Sequence, residues 1–147
     1  MDRVNGEDLL GSLSFKLGVI GTRITQMFGA RIEPLGLTHR QVGVLAVVDA
    51  GHARSQREVA DTLGVAPSLV VALVDRLVAM GAINRVQGST DRRVHTLELT
   101  DQGRELLAHS IAIVNELDRD LRGPLDRQDT TAVHSALTHF LTKVQRQ

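Results

Sequence analysis

Apolar residues recur at helical spacing near the start of this 147-residue chain. They fall every three or four residues, at Leu10, Leu13, Leu17, Ile20, Ile24 and Met27. This period places them along one face of a helix. Gly29 and Pro34 predict where that helix ends, because neither residue continues a helix readily. The pattern therefore predicts one long amphipathic helix at the N-terminus.

Two more amphipathic helices are predicted after residue 100. Thr100 is placed to cap the first, and Gly123-Pro124 predicts its end. The apolar positions of this helix are Leu107, Ile111, Val114, Leu117 and Leu121. Those of the last helix are Val133, Leu137, Phe140, Leu141 and Val144. Long apolar stripes thus lie on both sides of a shorter middle segment.

The middle segment contains closely spaced start and stop signals for helices. Thr38-His39-Arg40-Gln41 and Ser55-Gln56-Arg57-Glu58 each fit a capping box, and Pro67 suits the first position of a third helix. These helices are expected to end at Gly51, Gly64 and Gly81. Three short helices are therefore predicted in succession.

A β-hairpin is predicted after the third helix. Residues Ile83–Val86 and Val94–Leu99 have strand-like patterns, separated by a turn signal at Gly88–Asp91. The order helix, short helix, tight turn, helix, hairpin is typical of a winged helix-turn-helix. We expect a mainly α fold with a small β-hairpin wing (α+β). Residues 36–100 would form the winged helix-turn-helix, and residues 1–35 and 101–147 a helical dimerisation region.

The flanking stripes are too extensive for a middle segment of this size to cover. The simplest solution is a homodimer in which the N- and C-terminal helices of two chains interlock. The alternative is a monomer whose terminal helices fold back over the middle.

The amino-acid composition excludes several classes of function but does not identify one. The 17 basic and 17 acidic side chains balance, so a nucleic-acid partner requires a local basic feature. Cysteine is absent, which excludes disulfides, thiolate zinc sites and cysteine nucleophiles. No stretch resembles a signal peptide or a membrane span, so we expect a cytoplasmic protein with no membrane partner. Aromatic residues make up only 2%, too few for the stacking platforms of single-strand binders.

The third helix of the middle segment is the candidate DNA reader, because the second helix of a helix-turn-helix enters the major groove. It begins at Pro67, which we include among the DNA-binding residues, and would turn Ser68, Val71, Ala72, Asp75 and Arg76 outward. Ser68 can bond a base or a phosphate, Val71 or Ala72 can pack on a thymine methyl, and Arg76 can reach a phosphate. The free amides of the preceding helix offer a phosphate seat, flanked by Ser55, Gln56 and Arg57.

Arg92 and Arg93 lie at the tip of the predicted wing, after Asp91. A wing tip can enter the minor groove, where the concentrated negative potential favours arginine. Asp91 is close enough in sequence to hold an arginine by a charge-assisted hydrogen bond. We therefore include Asp91, Arg92 and Arg93 in the DNA-binding set. A loop made soluble by its charges is the alternative.

Neither a metal site nor an enzyme is expected. The six histidines do not converge in the sequence pattern, although a zinc-sensing site remains the alternative. His39 is the best placed to hold an anionic ligand. The chain has no Gly-rich phosphate loop, no G-x-S-x-G and no HExxH motif, so we expect no enzymatic activity and no cofactor.

Several motifs together resemble the MarR family, the multiple antibiotic resistance regulators. They occur in order as Leu35-Gly36-Leu37-Thr38, Leu63-Gly64-Val65, Pro67-Ser68, Leu73-Val74-Asp75-Arg76-Leu77, Gly81, Asp91-Arg92-Arg93 and Leu99-Thr100-Asp101-Gln102-Gly103. The resemblance covers nearly the whole chain. It implies a dimeric winged-helix repressor, or less often an activator, that binds a palindromic operator in double-stranded DNA. It also implies release by a small ligand, often aromatic and anionic.

The ligand is expected between the dimer helices and the DNA-binding part, where it would change the spacing of the two recognition helices. The candidate residues are Phe15, Ile20, Arg31 and His39.

The sequence also departs from the family pattern. Ala66 stands where relatives commonly have a Ser or Thr that caps the recognition helix, and Val71 and Ala72 stand where Thr and Arg are frequent. Base readout by hydrogen bonds is therefore sparse. A winged helix that has lost DNA binding and kept dimerisation, as a protein-interaction module, is the rival interpretation.

Overall fold

The computed structural model describes residues 5–91, 93 and 95–145. The chain divides into two compact units, the first ending at His39 and the second beginning at Arg40. The units are described separately below. Arg92, one of the predicted DNA-binding residues, lies outside the described residues.

The first unit contains two α-helices rather than one. Helix α1 spans Gly6–Gly11 and helix α2 spans Leu13–Ile32. Ser12 separates them: its backbone is extended, its hydroxyl accepts from the Phe15 amide and donates to the Leu9 carbonyl. Serine competes in this way with helical hydrogen bonds, which the apolar period does not register. The expected continuous helix from Leu10 was therefore wrong at this point.

Helix α2 also continues past the expected stop at Gly29. It ends at Ile32 and is followed by a 3₁₀ turn, Glu33–Leu35, in which Pro34 occupies an early position. Gly36 then adopts a left-handed conformation with φ of 71°, which ends the 3₁₀ turn. A single glycine costs a helix about 1 kcal/mol and does not by itself end it.

The second unit contains the remaining helices and the hairpin. Helix α3 spans His39–Asp49, α4 spans Gln56–Leu63 and α5 spans Pro67–Ala79. Strands β1 and β2 span Ile83–Gln87 and His95–Leu99. Helices α6 and α7 span Asp101–Arg122 and Arg127–Val144. The order of elements matches the sequence-based expectation of helices with a two-stranded wing.

The core of the second unit is aliphatic. Leu45 of α3, Val59 of α4 and Leu77 of α5 are fully buried. Other fully buried apolar side chains are Val44, Val70, Val74 and Ile83. Each such side chain contributes about 1.5–3 kcal/mol by its removal from water. Burial of one face of α4 and of α5 leaves their opposite faces to solvent.

The wing is an antiparallel pair in which Ile83 faces Leu99 and Gln87 faces His95. Leu97 and Leu99 are buried and Glu98 between them is exposed, as the alternation predicts. The Leu97 amide also donates to the Arg54 carbonyl at 2.7 Å, so the segment before α4 borders the outer edge of β2. This bond ties the wing to the start of the helix-turn-helix.

Helix α6 begins directly against the end of α5. The Thr100 hydroxyl accepts from the Gly103 amide and donates to the Gly81 carbonyl, and the Thr100 amide donates to Ala82. The side-chain Nε2 of Gln102 donates to the Met80 carbonyl at 3.0 Å. A Cβ at Gly103 would overlap the Ala82 carbonyl oxygen. Only glycine therefore allows α6 to approach this backbone so closely.

Helix α7 buries no residue of its own. Its Val133, Leu137, Leu141 and Val144 are all among the exposed large apolar side chains. No single helix of the described residues has the length and apolar composition to cross a membrane. Helices α4 and α5 reach that length and apolar composition only as a pair, and the chain bends by 117° at the break between them.

Candidate nucleic-acid interface

The turn between α4 and α5 sets the angle between these helices. Gly64 is left-handed with φ of 63°, and its amide bonds back to the end of α4. The Val65 amide donates to the Ala60 carbonyl at 3.1 Å, which closes the turn. Three residues thus separate α4 from Pro67, the first residue of α5. This is the geometry of a helix-turn-helix.

Helix α5 presents the outward face that the sequence predicts. Val70, Val74 and Leu77 are buried on the inner side. The exposed positions are Ser68, Val71, Ala72, Asp75 and Arg76. Val71 is 42% exposed, although valine is among the residue types most often buried in folded proteins. The face combines one hydroxyl, a small apolar patch and a pair of opposite charges.

The N-terminus of α5 lacks a side-chain cap. Ala66 occupies the N-cap position with φ of −63° and ψ of 138°, and it makes no side-chain bond to the helix. Replacement of a capping hydroxyl by alanine costs about 1 kcal/mol. Pro67 partly compensates because its fixed φ suits the first helical position.

The N-terminus of α4 has the predicted capping box. The Ser55 hydroxyl accepts from the Glu58 amide at 3.2 Å, and the Glu58 carboxylate accepts from the Ser55 and Arg54 amides. In the described part of the chain, the amides of Gln56 and Arg57 remain without hydrogen-bond acceptors. The phosphate seat expected at this helix end is thus reduced to these two amides and their side chains.

The described part of the wing tip shows one contact between Asp91 and an arginine. The Asp91 carboxylate accepts from the backbone amide of Arg93 at 2.9 Å; the Arg93 side chain does not form the expected bond to it, and Arg92 lies outside the described residues. This is a local turn bond of the kind that Asp favours. The Arg93 guanidinium forms no hydrogen bond or ion pair within the described residues, so it is available to a phosphate or a groove.

Sequence reasoning missed Arg85 of β1. Its Nη2 pairs with the Asp75 carboxylate of α5, and its Nε donates to Gln56 Oε1 of α4 at 3.0 Å. One guanidinium therefore joins the wing to both helices of the helix-turn-helix. The only sequence signal was the position of Arg85 two residues after buried Ile83, on the same face of the strand.

The histidines do not form a cluster in the described residues. No group of three or more His, Asp or Glu side chains there could hold a metal ion. His95 alternates with Leu97 and Leu99 and so lies on the same face of β2, but its side chain is exposed at the end of the strand, opposite Gln87.

The expected ligand residues all lie in the first unit. Phe15 lines a groove along α2, together with Val19 and Arg23. Ile20, Arg31 and His39 are not among the residues that line this groove. Arg23 was not expected from the sequence, and it adds a cation to the lining of the same groove as Phe15. The four-residue ligand site stays a prediction.

Comparison with known proteins places these features in a family. A family model described as MarR family matches residues 35–94, which include α3, α4, α5 and β1. The chain is 31% identical over 114 residues to the HTH-type transcriptional repressor MdtR of Bacillus subtilis (strain 168), covering 75% of this chain and 74% of MdtR.

Solved structures agree over almost the full length. The transcriptional repressor CouR bound to a 23-mer DNA duplex is 32% identical, with a TM-score of 0.85, covering 95% of this chain and 99% of CouR. CouR from Rhodococcus jostii RHA1 bound to p-coumaroyl-CoA matches with 26% identity and a TM-score of 0.80, covering 93% and 94% of the two chains. The winged-helix fold expected from the sequence is confirmed. The chain belongs to the MarR family, and these relatives are transcriptional regulators rather than enzymes.

Proposed function

We propose that this protein is a homodimeric transcriptional repressor that binds a palindromic operator in double-stranded DNA. The observation that carries the proposal is the exposed outer face of α5 beside a wing whose Arg93 guanidinium is unengaged within the described residues. CouR, 32% identical to this chain, is a repressor that binds a DNA duplex.

The roles of the interface residues follow from their chemistry. Ser68, at the N-terminal end of α5, offers a hydroxyl to a base edge or a phosphate. Val71 and Ala72 offer only apolar contact, which suits the methyl group of thymine. Arg76 lies further along α5 and suits a backbone phosphate. At the start of α4, Ser55, Gln56 and Arg57 would hold a second phosphate, and Arg92 and Arg93 would enter the minor groove.

Dimerisation is supported by the apolar side chains that a single chain leaves in solvent. In the first unit Leu9, Leu13 and Ile20 are more than half exposed. In the second unit, Leu141 and Val144 of α7 are 63% and 71% exposed. Side chains of this size and exposure, repeated along a helix, are typical of an interface. A two-fold dimer would present two recognition helices to two inverted half-sites.

We also propose that a small aromatic or acyl anion releases the repressor from DNA. CouR binds p-coumaroyl-CoA, which combines an aromatic group with anionic phosphates. Phe15 and Arg23, which line one groove, offer a ring and a cation to such a ligand. A ligand of this kind weakens DNA binding only if it prefers the protein conformation that fits the operator less well.

A protein-interaction module is the second candidate. It is favoured by the apolar patch at Val71 and Ala72 on the exposed face of α5. The two functions differ in their response to salt, because phosphate contacts release counterions and apolar contacts do not.

The test is fluorescence anisotropy with duplex DNA from upstream of the protein's own gene, over a series of salt concentrations with nonspecific competitor present. We expect tight binding that weakens steeply with salt. Arg93→Ala should lower affinity and reduce the slope of log affinity against log salt by about 0.9, because a cation in the minor groove neutralises about one phosphate charge. Arg119→Ala, on the exposed surface of α6, is the matched control. Salt-insensitive binding that competitor abolishes would favour the interaction module.

A further inference from the structure

The Arg85 side chain is the only one in the described residues seen to bond to both helices of the helix-turn-helix from the wing. Its Nε donates to Gln56 Oε1 at 3.0 Å, and its Nη2 pairs with Asp75 Oδ1. Its side chain is 30% exposed, compared with 59% for that of Asp75. The guanidinium is therefore partly enclosed between its two partners, which is the setting in which planar two-donor recognition is effective.

Strand register explains how Arg85 reaches these partners. Arg85 faces Leu97 across the hairpin, and Ile83 faces Leu99. Side chains of facing residues lie on the same side of a sheet. Arg85 thus lies on the inner face of the wing with the buried side chains of Ile83, Leu97 and Leu99. Along β1, it is two residues further from the core than Ile83. A long cationic side chain at this position extends past the apolar layer to the polar edge of α4 and α5.

The contact determines which group Gln56 presents. Because Oε1 accepts from Arg85, the two donor hydrogens of the Gln56 amide nitrogen stay free of bonds within the described residues. DNA phosphates accept hydrogen bonds and never donate them. With its carbonyl engaged, Gln56 is oriented as a donor beside the free amide of Arg57 at the start of α4.

The contact with Arg85 also neutralises the negative charge of Asp75. This carboxylate lies on the exposed face of α5, where an uncompensated negative charge would repel the DNA backbone. Pairing with Arg85 cancels that charge and fixes β1 against α5. The two effects act on the same surface, the one that the proposed function assigns to DNA.

We propose that Arg85 is a positioning residue of the operator interface. It holds the wing at a fixed distance from the recognition helix, orients Gln56 as a phosphate donor and neutralises Asp75, without itself contacting DNA. The inference rests on the proposed DNA-binding function. It distinguishes Arg85 from Arg93, which is assigned a direct contact.

The experiment compares wild type with Arg85→Met, Asp75→Asn and the double variant, using the operator duplex at several salt concentrations. We expect Arg85→Met to weaken binding by about 10-fold, because Asp75 is left uncompensated and Gln56 loses its orientation. The salt slope should stay close to that of wild type. Adding Asp75→Asn to Arg85→Met should restore a large part of the lost affinity, which is a non-additive result.

Two outcomes would overturn the positioning role. One is a salt slope that falls by about 0.9 in Arg85→Met with no recovery in the double variant, because Arg85 would then contact a phosphate directly. The other is unchanged affinity in Arg85→Met. Failure of wild type to bind DNA would instead overturn the proposed function.

Thermal unfolding of each variant checks that the fold is retained. If Arg85→Met does not fold, Arg85→Lys provides the same test with the charge kept. A lysine ammonium does not reproduce the two-donor geometry toward Gln56 and Asp75. We expect Arg85→Lys to bind more weakly than wild type with an unchanged salt slope, and wild-type affinity in this variant would contradict the proposal.

Discussion

Val71 and Ala72 limit how α5 can read a base sequence. Neither side chain donates or accepts a hydrogen bond, and Val71 is 42% exposed on the face assigned to DNA. The one apolar group that a base edge offers in the major groove is the C5 methyl of thymine. The half-site is therefore expected to place a thymine opposite Val71.

Replacement of individual thymines by deoxyuridine tests this contact, because it removes the methyl and nothing else. One replacement in each half-site should weaken binding about 4-fold per contact, the equivalent of about 0.8 kcal/mol for one buried methylene-sized group. In Val71→Ala the same replacement should have a smaller effect, whereas Ser68→Ala should leave the uridine effect intact. Anisotropy with a set of singly substituted duplexes provides the measurement. Equal sensitivity of wild type and Val71→Ala to every replacement would exclude the contact.

At the residue scale, the sequence predicts those helix caps and helix starts that depend only on residues close together in the chain. The caps at Ser55 and Thr100 and the position of Pro67 were predicted correctly because each involves residues within four positions. The bond from Arg85 to Gln56 spans 29 residues and depends on strand register and the angle between α4 and α5. That information is not present in any local pattern.

At the element scale, the start of α6 is fixed to the end of α5. The contact depends on Gly103, where a Cβ would overlap the Ala82 carbonyl oxygen. Thr100 and Gln102 add hydrogen bonds to the same turn. This junction holds the start of α6 against the C-terminal end of α5.

Gly103→Ala should therefore destabilise the protein by about 1–3 kcal/mol, the usual cost of forced overpacking. Gly43→Ala is the matched control, because a Cβ there meets only Leu63 at 3.6 Å, an ordinary contact. The control should be neutral or more stable by up to about 1 kcal/mol, since alanine favours a helix over glycine. Urea unfolding of both variants measures the difference. Equal free energies of unfolding for the two variants would mean that the backbone at this junction shifts to accept the methyl group without loss of stability.

The break between α1 and α2 shows where element prediction fails. The apolar stripe continues in register through Ser12, so periodicity alone indicates a single helix. Ser12 bonds to backbone groups on both sides and interrupts the helix there. Helix existence and apolar period were predictable, but this boundary was decided by the side-chain bonds of one serine, which the apolar period does not register.

At the scale of the whole molecule, the exposed apolar positions of α7 require an explanation. Leu137 and Leu141 lie four residues apart on one side of this helix and are 42% and 63% exposed. Helix α7 has no buried residue, so packing among the described residues does not account for its stripe. The sequence predicted this stripe and hence the dimer, but a single chain cannot specify which surfaces of two copies meet.

Disruption of the stripe tests the dimer and the operator symmetry together. Leu137→Lys combined with Leu141→Lys should shift the protein to a monomer in sedimentation velocity, because two charges cannot be buried in an apolar interface without partners. His139→Lys, on another side of the same helix, is the control and should remain dimeric.

Wild type and control should bind a duplex with two half-sites much more tightly than one with a single half-site. The monomeric variant should bind each half-site of either duplex with the same affinity, since one winged helix occupies only one half-site. A monomeric variant that still prefers the two-site duplex would show that the operator is not read through dimer symmetry.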